Sequence, residues 1–136
     1  MRNQITYCVL AGIALSTCLL AHAQLTPSFQ QTLAIGGTEL ITIRGQSKED
    51  VRVRADIIYS RLAWILADST LTRRDIWIKM TTSEPEIYVK DKLLVTVMPQ
   101  DSAYNETTPD KQAQIWRIRF AETLPMLKSA DPPSKT

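Results

Sequence analysis

Between Thr38 and Asp68 the chain carries an alternating stretch, a glycine, and then a long apolar stripe at helical spacing. This succession restricts the fold more than any other feature. Leu40, Thr42 and Arg44 alternate with Glu39, Ile41 and Ile43, the period-two pattern of a strand with one buried face, and the spacing predicts Ile41 and Ile43 as the inward residues. Gly45 breaks the strand. Ser47 followed by Asp50 resembles an acidic capping box, with Glu49 also in the positive first turn. Val51, Ala55, Ile58, Leu62 and Ile65 then recur at steps of four and three, predicting a helix to about Asp68 that needs a sheet to lie on.

The rest of the chain supplies that sheet. Residues 24–36 read as a polar lead-in closed by Gly36-Gly37. Asp75 to Thr81 reads as a strand with Ile76, Ile78 and Met80 on one face and Trp77, Lys79 and Thr81 on the other. A hairpin follows, from Glu86 to Val89 and from Leu93 to Met98 around Lys90-Asp91-Lys92. Its second strand is apolar on nearly both sides, which predicts a central place in the sheet. Pro99 ends that strand, and Gln100 to Thr107 reads as a loop. Thr108-Pro109-Asp110 is a helix start. The stripe after it is Ala113, Trp116, Phe120 and Leu124, supported by Ile115 and Leu127, and Pro125 is expected to end or kink the helix. Trp64 and Trp116, both on helices, read as core. Residues 128–136 read as a flexible tail. The expected architecture is α+β, a two-layer β-α-β-β-β-α domain over residues 37–127, with a small, mostly antiparallel sheet and two helices on one face.

Residues 1–23 have the pattern of an export signal: Arg2, an apolar run from Ile5 to Leu20, and Ala21-His22-Ala23 before Gln24. Cleavage there implies a periplasmic or secreted product. Minor alternatives are a lipoprotein anchored at Cys18 and an uncleaved anchor, although 16 positions fall short of the roughly 20 needed to span a bilayer. Cys8, Cys18 and His22, the whole Cys and His content, lie inside that segment. The remaining 113 of 136 residues therefore have no thiol or imidazole. Disulfides, thiol nucleophiles, imidazole bases and nearly all zinc sites are excluded together. Without Arg2 there are 15 basic and 14 acidic residues, too even a balance for a nucleic-acid binder. No catalytic, cofactor-binding or metal-binding residue is assigned.

Three groups remain to be weighed. Glu84, Glu86, Asp91 and Asp101 could serve a small carboxylate-dependent hydrolase, but solvated turn residues are the simpler reading. Asp101, Glu106 and Asp110 could offer oxygen ligands to Ca²⁺, yet they match no EF-hand spacing. Arg54 and Arg61, seven apart on one helix face, could contact an anionic surface, against the plainer reading of a solvated face. Trp77, Lys79 and Tyr88 fall on outward strand positions and form a possible partner surface. A slip of one residue would instead turn Trp77 inward, to a core or half-buried position.

The chain resembles the small periplasmic domain that precedes small-conductance-type mechanosensitive channels in cyanobacteria and other bacteria. Three segments carry the likeness: Gly37 to Gly45, the strand-turn-strand from Ile87 to Val97, and Asp101-Ser102-Ala103 leading into the helix from Pro109 to Leu124. The expectation is a standalone exported form of that domain. The resemblance implies an envelope location and a noncatalytic accessory or sensory module. With export and the missing catalytic residue types, the expectation is an accessory or interaction module with an envelope protein partner and no cofactor. Nucleic acid is not an expected partner, and membrane contact is expected only through an uncleaved signal or weak surface binding.

Overall fold

The computed structural model describes residues 28–128. The expected export signal, its Cys8, Cys18 and His22, and the tail beyond Lys128 lie outside the described residues. The fold is α+β with two-layer character, built on two small antiparallel sheets.

The first sheet is a hairpin of β1 (Phe29–Ile35) and β2 (Thr38–Gly45). From Phe29 to Ile35 the segment expected as a polar lead-in is therefore a strand. Its Leu33 is fully buried opposite Ile41, while its glutamines and Thr32 supply the polar alternation of a half-exposed strand. Gly36 and Gly37 both take positive φ, 57° and 81°, in a two-residue turn that only glycine enters without steric cost. Register slips at one point: Leu33 faces Ile41 and Ala34 faces Glu39, so Leu40 is a bulge residue without a partner. Leu40 and Ile41 are consequently both buried, and strict alternation fails there.

Helix α1 (Lys48–Leu66) begins as expected, with Ser47 Oγ accepting from the Asp50 N–H at 3.0 Å. All five stripe residues, Val51, Ala55, Ile58, Leu62 and Ile65, are buried. Gly45 permits the close entry into the helix, since a Cβ there would stand 2.9 Å from Val51 Cγ2. Trp64 does not join the core; it is 72% exposed, because it falls off the five-residue stripe.

A single 3-10 turn, Arg73–Asp75, leads into the second sheet, whose strand order is β3 (Ile76–Lys79), β4 (Glu86–Val89), β5 (Lys92–Thr96). The central strand is β4, so the apolar final strand is an edge strand and not the centre. Its composition has another cause. Ile87 faces Val95 and Tyr88 faces Leu93, which leaves Leu94 as a second bulge, turned inward beside Val95. Ile76 and Ile78 do face inward, but Met80 lies beyond β3 and is exposed.

The expected loop after Pro99 contains a short helix, α2 (Pro99–Ala103), and α3 (Pro109–Lys128) runs through Pro125 without ending there. Ala113, Trp116, Phe120 and Leu124 are buried, and Leu127 packs against them. Ile115 is 53% exposed, one position off that stripe. Helix α1 lies against β1, β2 and β5, and α3 against β2, β3 and β4, so one core joins both sheets.

Candidate functional site

Cross-strand register sets the outer face of the second sheet. Trp77 pairs with Tyr88 and Lys79 with Glu86, so all four side chains stand on one side. The Trp77 and Tyr88 rings stack with centroids 4.9 Å apart and planes inclined by 20°. Lys79 Nζ lies 5.8 Å from the Tyr88 ring, within cation–π range, and Tyr88 donates its hydroxyl to Glu86 at 3.1 Å. Trp77 is 42% exposed. Its indole N–H donates to the Lys90 carbonyl at 2.8 Å, which holds the ring over the β4–β5 turn. The three residues read from the sequence as a partner surface therefore share one face, with Trp77 half-exposed rather than turned inward.

Lys90 organises the turn on its other side. At φ 54° it occupies the left-handed region, its N–H donates to the Asp75 carbonyl at 2.7 Å, and its ammonium reaches Asp68 at 2.5 Å and Thr70 at 2.7 Å. Hydrogen bonds from Lys90, and from the Thr70 N–H and hydroxyl, hold the Asp68 carboxyl far below the usual carboxylate range. The Lys90 ammonium is pushed up correspondingly. The Thr72 N–H and hydroxyl lower Asp75 in the same way. Trp64 borders this turn from α1, beside Lys90, Asp91 and Lys92. Two exposed tryptophans thus flank one hairpin tip. The expectation of Trp64 as core equates a place on the helix with a place on its buried stripe; Val53, Ile57 and Trp64, at steps of four and seven and all exposed, are instead a second apolar row on the same helix.

The depressed carboxyls set the direction of an acid response. A group whose folded pKa lies below its unfolded value of about 3.9 stabilises the fold above that pH, and the contribution fades as pH falls through the folded value. Stability is expected to decline below about pH 4, and Asp68→Asn is expected to make that decline shallower. Urea midpoints measured from neutral to strongly acidic pH check this; identical slopes in the two proteins would contradict it.

Arg54 and Arg61 are not available as a cationic face. Arg54 donates to both Asp101 oxygens, at 3.0 and 2.6 Å, to the Arg44 carbonyl at 3.0 Å and to the Thr96 carbonyl at 2.7 Å. Arg61 donates to the Leu94 carbonyl at 3.2 Å. The Val97 N–H points to Pro85 of the neighbouring segment, so the Leu94 and Thr96 carbonyls face the open edge of β5. The seven-residue spacing thus places two guanidinium groups along one strand edge, covering carbonyls that would otherwise invite another strand.

Asp101 is fully buried and also accepts the Arg44 N–H at 2.8 Å and the Met98 N–H at 2.9 Å. Its oxygens are spent on architecture, neither solvated nor directed at a cleft. Among the described residues, no group of three or more His, Cys, Asp or Glu side chains is placed to hold a metal ion. None of the described helices is long and apolar enough to cross a membrane.

Residues 32–125, from within β1 to near the end of α3, match the family model of a domain of unknown function, DUF8459. The chain belongs to the DUF8459 family. No curated protein and no solved structure matches the chain. The family match covers both sheets, the Arg54–Asp101 pair and the Trp77–Tyr88 face, so the DUF8459 region coincides with the compact core.

Proposed function

We propose that the chain is a noncatalytic accessory module of the cell envelope, exported by its leader, which binds a protein partner through the Trp77, Tyr88 and Lys79 face. The observation carrying this reading is the half-exposed Trp77 stacked on Tyr88 and pinned by its indole N–H to the β4–β5 turn. A fixed aromatic pair loses little conformational freedom on contact, the property that makes Trp and Tyr frequent anchors of interfaces. Lys79 beside it suits a partner segment that carries a carboxylate next to an apolar residue. Supporting the noncatalytic part are the missing thiol and imidazole in the region after the leader, and Asp101 with both oxygens occupied. The resemblance to channel-associated periplasmic domains supports the envelope setting.

A photoreactive residue at position 79, compared with one at position 119 on α3, tests the reading in cells. One envelope protein should be captured repeatedly from position 79 alone. Binding of that purified protein should weaken about tenfold or more on Trp77→Ala. Recovery of the chain alone, together with turnover of a wall glycan by the purified protein, would replace this reading with the hydrolase.

A further inference from the structure

A recess of about 220 Å³ opens between β2 and α3, lined by none of the residues of the aromatic face. Leu40 and Trp116 give it an apolar floor, while Arg44, Gln112 and Arg119 bring hydrogen-bond donors to it. Arg44 is only 7% exposed. The neighbouring carboxylate of Asp101 accepts its backbone N–H but is bridged to Arg54, so the Arg44 guanidinium has no acidic partner among the described residues. It lies 3.9 Å from the centre of the Tyr104 ring, and its buried Nε makes no hydrogen bond. A buried cation in that position is costly, and the ring offsets only part of the cost.

Two further donors are unspent. Gln112 is 2% exposed and uses its Oε1 to accept from Asn105 at 2.8 Å, leaving its Nε2 without a partner among the described residues. Arg119 stands exposed on α3 without an ion pair among them. Three donor groups converging above an apolar floor describe an anion site. The exposed Glu39 at the rim works against a dianion and favours a single negative charge.

We infer that this recess binds a small organic carboxylate, its charged end held by Arg44, Arg119 and the Gln112 amide and its apolar body against Leu40 and Trp116. Planar carboxylates match the guanidinium fork, and a volume of this size suits a compact acid better than a chain.

Benzoate and inorganic phosphate are the probes, titrated into the full chain labelled with ¹⁵N. The Arg44 Nε–Hε and Gln112 side-chain amide signals should shift saturably with benzoate, at least tenfold more tightly than with phosphate. Arg119→Ala alters an exposed side chain and should leave the fold intact while weakening benzoate about tenfold. Arg44→Lys, which keeps the charge and loses the fork, should weaken it as well, whereas Arg61→Ala should not. Absence of a saturable shift at ~20 mM benzoate, a constant affinity in folded Arg119→Ala, or phosphate binding as tightly as benzoate would each overturn the assignment.

Discussion

Replacing Asp101 with alanine is expected to lower the stability of the fold by about 3–5 kcal/mol, the cost of leaving one member of a buried ion pair without the other. The carboxylate accepts four hydrogen bonds, two from Arg54 and one each from the N–H groups of Arg44 and Met98. Arg54, with its side chain 19% exposed, cannot recover full hydration once the carboxylate is removed. The damage would also spread. Arg54 spans the Arg44 carbonyl at the end of β2 and the Thr96 carbonyl at the end of β5, so this one pair joins the two sheets to α1 and α2. Asp101→Asn keeps the shape but places an amide where both guanidinium nitrogens need acceptors, and should recover only part of the loss. Chemical denaturation of the full chain measures both variants. A double-mutant cycle with Arg54→Met should show strong coupling, and a loss below about 1 kcal/mol for Asp101→Ala would remove the pair from its structural role.

Leu94→Ala is expected to cost about 2–5 kcal/mol, and Leu93→Ala less than about 1.5 kcal/mol. Uninterrupted alternation would put Leu93, Val95 and Val97 on one face and Leu94 on the other. The bulge opposite Tyr88 instead turns Leu94 inward with Val95, and both are buried, while Leu93 pairs with Tyr88 toward the outer face. Large losses at both Leu94 and Val95, beside a small one at Leu93, are the signature of that slip. A large loss at Leu93 with tolerance at Leu94 would restore the regular register. Urea midpoints of the three single alanine variants decide between them.

The outer face of the second sheet was legible because two rules agree there. Period-two alternation put Trp77, Lys79 and Tyr88 outward, and antiparallel pairing of β3 with β4 brings Trp77 and Tyr88 side by side. The anionic-surface reading of Arg54 and Arg61 failed for an equally definite reason. Their spacing was real, but a helix face shared by two arginines can meet strand-edge carbonyls as well as solvent, and the choice depends on what packs against it. The short acidic start of α2 offered no hint that Asp101 would be the most enclosed charge in the fold.

The sequence alone determined what operates within one turn or one strand: the Ser47 cap, the five-residue stripe of α1 and the stripe of α3. Each depends on neighbours a few residues apart, so its energetics are written in local order. Tertiary structure decided the rest. The bulges at Leu40 and Leu94 depend on how facing strands twist and pack, and the Arg54–Asp101 pair joins residues 47 positions apart. Whether a charged side chain is solvated, buried with a partner, or buried without one like Arg44, is settled by the elements that close over it, and no local pattern records that.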